Sequence, residues 1–221
     1  MEITIDSTLK SIEPNVKVGV VTYKGITVGD SPQMLKGRLQ LFQESLYFDF
    51  TDKKITDIPA IQEWRKLFKA AGTDPNRYRP SNEALFRRVQ KQQFVGTVNS
   101  AVDMNNFLSL QYQIPLGIYD RNKVAGDRIT ISIGEEHTSY TAINEREISL
   151  SNKIVSLDSE GPFGSPYVDS KRTSVTKATK AAVHLIYLQP SMGKDEALNL
   201  LKALSTMFTQ IHGGEATFDV I

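Results

Sequence analysis

The 221-residue chain contains no cysteine. That absence removes disulfides, thiol nucleophiles and cysteine-based zinc or iron–sulfur sites. Histidine is nearly as scarce: His137, His184 and His212 lie in separate elements at no ligand-like spacing. Each is read as an ordinary surface or edge histidine rather than a base or metal ligand. Net charge is also small, with 26 Lys and Arg against 25 Asp and Glu. No stretch long enough to span a bilayer is free of charge, and the acidic start MEITIDSTLK is not that of a secretory signal. The signatures GxSxG, GxxxxGK[ST], HExxH and GxGxxG are all missing. No metal and no cofactor is expected. What remains, at 40% hydrophobic and 23% charged residues, is the composition of a soluble globular protein. The length fits one large domain or two small, closely packed ones, and the expected location is the cytoplasm.

The charge that is present is unevenly placed. Between positions 61 and 93 stand Arg65, Lys66, Lys69, Arg77, Arg79, Arg87, Arg88 and Lys91, against only Glu63, Asp74 and Glu83. That segment is +5, so the remainder is −4 for a total of +1. A basic segment on a near-neutral chain fits either a polyanion contact or two solvated helix faces.

The strongest local patterns are helical. From Thr56 to Gly72, Ile58, Ile61, Trp64, Phe68 and Ala71 recur every three or four residues. Thr56 or Asp57 suits the cap, Pro59 the first turn and Gly72 the exit. Trp64 on that stripe is expected in the core. A turn segment, GTDPNRYRPS, leads to a second helix capped by Ser81, with Leu85 and Val89 buried and basic residues at its carboxyl end. A third runs from Asn99 to Gln113, and Asn99, Asp103 and Asn106 share one of its faces. A last helix spans about Lys194 to His212, with Ala197, Leu201, Leu204, Phe208 and Ile211 as its stripe, and ends at Gly213-Gly214. Leu35 to Phe42 is weakly helical.

Strands are expected as a pair around Gly25 within Val16–Val28, at the alternating Ile129, Ile131 and Ile133, near 138–143 and 154–157, and at Ala182–Leu188. Gly161 to Pro166 reads as a rigid loop. Helices grouped between strands, without regular alternation, predict an α+β fold rather than a doubly wound sheet. The expected organisation is a strand-rich segment over 1–55 packed on a main domain over 56–221.

Small polar residues gather around the predicted turns: Arg79-Pro80-Ser81 with Glu83, then Asn99, Asp103 and Asn106, then Gly117 to Asp120, then Gly164-Ser165, and Asp169-Ser170 with Thr173. Such a set suits a small polar ligand, or the satisfaction of buried backbone groups at turns.

These segments resemble a known family. TDPNRYRPSNEALFRRV, NSAVDMNNFLSLQYQIPLGIYD and GPFGSPYVDSKRTSVTKATK are similar to the free-standing B3/B4-domain proteins. Those proteins are in turn similar to the editing module of the phenylalanyl-tRNA synthetase β subunit. The synthetase pattern is roughly Asn-Pro-Val-Val-Asp-x-x-Asn-aromatic, followed after a spacer by Pro-Met-His-Ala-Phe-Asp. Asn99, Val102, Asp103, Asn106, Phe107, Pro115 and Asp120 stand at the matching places. Gly117 stands where that pattern has its histidine, and the Gly161–Thr173 loop follows the free-standing variant.

The resemblance implies a B3/B4-like α+β fold with mixed sheets and packed helices, and a pocket that, in the synthetase, hydrolyses the ester of a wrongly charged tRNA. It implies a substrate pocket drawn from Arg79, Glu83, Asn99, Asp103, Asn106, Gly117, Gly164, Ser165, Asp169, Ser170 and Thr173. Phosphates of tRNA would meet Lys66, Lys69, Arg87 and Arg88. Arg79 and Glu83 are open to two roles, a structural ion pair or contact with the aminoacyl or ribose end. No individual catalytic residue is singled out, since the terminal ribose hydroxyl of tRNA can help order the water. The expected partner is tRNA or aminoacyl-tRNA, with neither DNA nor a membrane. The alternative is a non-catalytic module that binds tRNA, a free amino acid or a protein.

Overall fold

The computed structural model describes residues 1–221. Ten strands and six α-helices build an α+β architecture of two sheets and a helical layer. The first sheet has the order β10-β2-β9-β3, formed by Glu215–Val220, Val18–Lys24, Ala181–Tyr187 and Leu116–Asp120, and it is antiparallel throughout. The second is mixed. Its order is β1-β4-β7-β8, formed by Glu2–Ile5, Arg128–Ile133, Ile154–Asp158 and Gly161–Gly164, with β1 and β4 parallel. A short ribbon pairs β5 (Ser139–Thr141) with β6 (Glu147–Ser149).

Period-two alternation makes the first sheet the middle layer. Leu116, Ile118, Ala182 and Ile186 point to one side, into the larger core shared with α2 (Gln33–Phe50), α4 (Ser81–Gln90), α5 (Ser100–Tyr112) and α6 (Lys194–His212). Tyr119, Val183, Leu185 and Tyr187 point to the other, where they meet Ile129, Ile131, Ile154 and Phe163 of the second sheet. The edge of that second core is closed by Leu9 of α1 (Ser7–Ile12) and by Trp64, Leu67 and Phe68 of α3 (Pro59–Ala70). No helix is long and apolar enough to cross a membrane.

Helix boundaries follow local chemistry. Asn99 caps α5 by accepting the N–H groups of Ala101 and Val102, and Gln113 ends it in the left-handed region at φ 59°. Pro59 occupies the first turn of α3, and Gly72 leaves it at φ +90°.

Several sequence expectations need correction. Val16–Val28 is not a strand pair: β2 turns off at Gly25 and pairs with β9 and β10 instead. Gly161–Pro166 begins as strand β8, and Gly117–Asp120 belongs to β3, an edge strand of the first sheet, rather than to a turn. Neither Thr56 nor Asp57 caps α3, whose preceding residue is Ile58. Ser81 lies inside α4 after Pro80, and Phe86 rather than Leu85 is its main buried apolar residue. The helix expected over Leu35–Phe42 runs to Phe50. His184 and His212 are core residues, exposed by 0% and 3%. His184 lies in a strand covered on both faces, and His212 stacks on Phe208 at 4.0 Å between ring centroids.

Candidate ligand pocket

One cavity of about 210 Å³ opens where the start of α4, one face of α5 and the helix-side face of β3 meet the segment 167–175. That volume exceeds the roughly 150 Å³ known to accept a benzene ring, so a single side chain of aromatic size fits. Leu116 and Ile118 of β3, with Leu85, Val102, Val168 and Val175, supply apolar walls. Ser81, Asn105, Asn106, Ser109, Asp169 and Ser174 supply the polar ones. Ala84, Tyr167 and Ile143 complete the lining.

Each polar group has a different surplus. Ser109 Oγ already donates to the Ile114 carbonyl at 2.7 Å. Asn105 Oδ1 accepts from His184 Nε2 at 2.9 Å, which leaves the Asn105 amide nitrogen for other acceptors. Burial pushes His184 down to about 3, so the ring that holds Asn105 is neutral. Ser81 Oγ is buried without a hydrogen-bond partner. It lies at the amino end of α4, where free N–H groups concentrate partial positive charge.

Asp169 joins the cavity to the layer behind it. Its Oδ1 accepts the Tyr119 hydroxyl at 2.6 Å. Burial pushes the carboxyl up to about 7, opposed by that hydroxyl and by the Ser165 backbone N–H. Tyr119 lies 3.5 Å from the Tyr187 hydroxyl, which in turn meets Ser156 Oγ at 2.9 Å. All these phenols are buried and raised above the ordinary tyrosine value, so they remain donors. The Tyr119 ring reaches Asp169 only because Gly117 and Gly164 flank it. A Cβ at either position would lie 2.1 or 2.2 Å from Tyr119 Oη.

A B3/4 domain model matches residues 63–208. The chain belongs to the B3/4 domain family. The matched segment includes every residue of the cavity wall, from Ser81 to Val175. Among curated proteins the chain is 36% identical over 217 residues to "Uncharacterized protein YhzB" of Bacillus subtilis (strain 168), covering 98% of each. Among solved structures it is similar to an N-terminal fragment of the phenylalanyl-tRNA synthetase β subunit from Pyrococcus horikoshii. That match has 17% identity and a TM-score of 0.47, over 97% of this chain and 50% of that one. The chain thus spans about half the length of that fragment.

Within this B3/4 domain, Asn106 and Asp169 lie in the cavity wall, and the other residues inferred for the pocket do not. Asn99 is spent as the α5 cap. Asp103 is wholly buried and accepts Ser31 Oγ at 2.5 Å and the Val98 N–H at 2.8 Å, which ties the entry of α2 to α5. Ser165 organises its own turn, accepting the Tyr167 and Val168 N–H groups and donating to the Val168 carbonyl. Ser170 Oγ accepts the Arg172 N–H, and Thr173 Oγ1 donates to the Phe163 carbonyl. Gly117 points its missing side chain at Tyr119, on the face of β3 away from Leu116 and Ile118. Gly164 does the same from β8.

Glu83 is buried beneath three guanidinium groups: Arg65 at 3.0 Å, Arg87 at 2.8 Å and Arg79 at 4.0 Å. This is a structural ion cluster with two surplus positive charges. Lys66 and Lys69 border a shallow basic depression at the end of α3 with Arg65, Thr73 and Asn76. Arg87 is engaged by Glu83, whereas Arg88 is exposed and touches only the Gln93 carbonyl at 3.3 Å.

Sequence reasoning missed Asn105, Ser109, Leu116, Ile118, Tyr167, Val168, Ser174 and Val175, and it used Ser81 as a cap. Helical spacing alone carries a signal for Asn105 and Ser109, since both share the Asn106 side of α5.

Proposed function

We propose that this B3/4 domain protein is a trans-editing hydrolase that deacylates mischarged aminoacyl-tRNA, with the aminoacyl group seated in the 210 Å³ cavity. One observation carries the reading: the wall contains Asp169, whose carboxyl holds the Tyr119 hydroxyl directly behind it, and no lysine, arginine or histidine. A free amino acid would set its own carboxylate in a wall whose only ionisable side chain of either charge is an acid, apart from Tyr167. An aminoacyl ester has the α-ammonium but no carboxylate, and so matches that wall. Seating the ammonium beside Asp169 would also draw the carboxyl back toward its ionised form.

In this scheme the apolar residues Leu116, Ile118 and Val175 receive the amino-acid side chain, and Asn106 and Asn105 orient the ester. Water adds to the ester carbonyl carbon. The bond to the ribose oxygen breaks, and that oxygen leaves with a proton as the tRNA hydroxyl. The positive end of α4 favours the charge that develops on the carbonyl oxygen. Lys66, Lys69, Arg87 and Arg88 take the tRNA phosphates, and the net charge of only +1 favours a weak, salt-sensitive encounter. The place of action is the cytoplasm.

The test is deacylation at low salt with a panel of correctly and incorrectly charged tRNAs. Catalytic release of one or a few amino acids is expected, lost in Asp169→Asn, which retains an acceptor for Tyr119. Absence of release from every member by the folded protein refutes the hydrolase reading for that panel.

A further inference from the structure

Lys153, the residue before β7, is a buried cation without a counter-charge. It is exposed by only 7%. Its Nζ stands 3.9 Å from the centroid of the Tyr78 ring, and its hydrogen bond to the Ser151 carbonyl is long, at 3.5 Å. No carboxylate lies within ion-pair distance of it. The charge that acts on it is another cation: burial lowers the pKa of the ammonium, and Arg77 lowers it further. Arg77 Cζ lies 5.1 Å from the same Tyr78 centroid and likewise has no acidic partner. Tyr78 meets Tyr167 edge-on at 5.4 Å. Arg146, Arg79 and Arg77 are all near enough to the Tyr167 hydroxyl to oppose the rise that burial gives it. Of these, only Arg79 faces an acid, Glu83 at 4.0 Å, which Arg65 and Arg87 hold more closely.

The local backbone holds these cations in place. Asn152 adopts the left-handed region at φ 57° and so turns the chain into Lys153. Thr73 Oγ1 braces that turn by donating to the Asn152 carbonyl at 2.8 Å. On the facing segment, the N–H groups of Arg77 and Tyr78 both donate to the Asp74 carbonyl, at 3.2 and 2.9 Å. A covered ammonium with unfilled donors has lost hydration and gained little in return. The Tyr78 ring offsets part of that cost, but it brings no negative charge.

We propose that Lys153 and Arg77, set against the Tyr78 ring, form a phosphate-binding site that takes the phosphate group of a nucleotide or of an RNA chain. Phosphate fits because it can carry two negative charges and so balance both unpaired cations. Its oxygens also match the planar donor fork of a guanidinium. Arg79 and Arg146 add positive potential around the site, which draws the anion in without having to touch it. This site is separate from Lys66, Lys69, Arg87 and Arg88, and it stands whether or not the cavity hydrolyses an ester.

Calorimetric titration of the full chain at low salt tests this with AMP, adenosine and a short single-stranded RNA that carries no amino acid. Saturable binding of AMP is expected, and none of adenosine, which lacks the phosphate. Lys153→Met and Arg77→Gln should each weaken AMP binding by about tenfold or more. Lys10→Gln, on exposed α1, should leave it unchanged. Arg77 is exposed, so Arg77→Gln keeps the test decisive should Lys153→Met fail to fold. RNA that binds at least tenfold more tightly than AMP, with the same loss in both variants, identifies the RNA chain as the source of the phosphate. Equal affinities identify a free nucleotide. Binding of neither AMP nor RNA overturns the proposal. Binding that adenosine matches, or that is indifferent to both substitutions, overturns it as well. None of these probes carries an aminoacyl ester, so the outcome is read independently of deacylation.

Discussion

Gly117→Ala adds a single methyl group to a place the Tyr119 phenol already fills. The new Cβ would lie 2.1 Å from Oη, 2.6 Å from Cζ and 3.0 Å from Cε2 of that ring. Ordinary carbon contacts need about 3.5–4.0 Å, so the hydroxyl end must retreat by more than an ångström. The ring has little room to do so. Gly164 holds its opposite edge with equal closeness, and Phe163 meets it edge-on at 4.8 Å. Overpacking of this kind costs about 1–3 kcal/mol. Detaching the Tyr119 hydroxyl from the Asp169 carboxyl adds about 1.5–3 kcal/mol. The expected loss is therefore about 2.5–6 kcal/mol, read by urea unfolding as a lower midpoint with an unchanged slope. In a chain of this size that corresponds to a fall of about 5–24 °C in melting temperature. Tyr119→Phe removes the nearest atom and the same hydrogen bond. Gly117→Ala should then cost about 1.5–3 kcal/mol less in that background than in the wild type. A Gly117→Ala variant within about 1 kcal/mol of wild type, or strict additivity with Tyr119→Phe, would refute this account of why glycine stands there.

Two further outcomes follow from buried groups. Asp103→Ala strands the Ser31 hydroxyl and the Val98 N–H and should cost about 3 kcal/mol; a melt within experimental scatter of wild type would exclude the tie between α2 and α5. Burial lowers His184 to about 3 and raises Asp169 to about 7, and the two act oppositely on stability. The His184 contribution is present above its unfolded value of 6.5 and is lost as pH falls toward 3. The Asp169 contribution is present below its unfolded value of 3.8 and is lost as pH rises through 7. They offset each other between those limits in the wild type. Asp169→Asn should therefore be the more stable protein at neutral pH and should lose stability more steeply on acidification to pH 4, as urea midpoints across pH would reveal; parallel profiles would refute it.

How much of this was legible in the sequence depends on how local the cause is. Helices α3, α5 and α6 are announced by apolar stripes and by Asn99, Pro59 and Gly213, all of which act within a turn or two. Strand β4 declares itself by alternation. The apolar run of β9 is also plain, but its neighbours are not, because pairing with β2 and β3 is decided across the whole chain. Helix α4 misled for a different reason. Its buried side carries Asn82 and Glu83 beside Phe86 and Val89, and a rule that counts apolar residues selects Leu85 instead. Asn106 and Asp169 were visible as polar residues near turns. The remainder of the cavity depends on the 167–175 segment folding back over α5, which no spacing in either segment encodes.

The central place of β2 also has a consequence in time. Val21 pairs with His184 and with Phe218, residues that a ribosome adds 163 and 197 positions later. At the usual 5–20 residues per second, the strand VGVVTYK leaves the ribosome some 8–30 s before its first sheet partner exists. For that interval an apolar, β-prone segment has no mate of its own. The first sheet is therefore assembled late and from distant pieces. Much of the aggregation risk of this protein falls during its synthesis rather than after it.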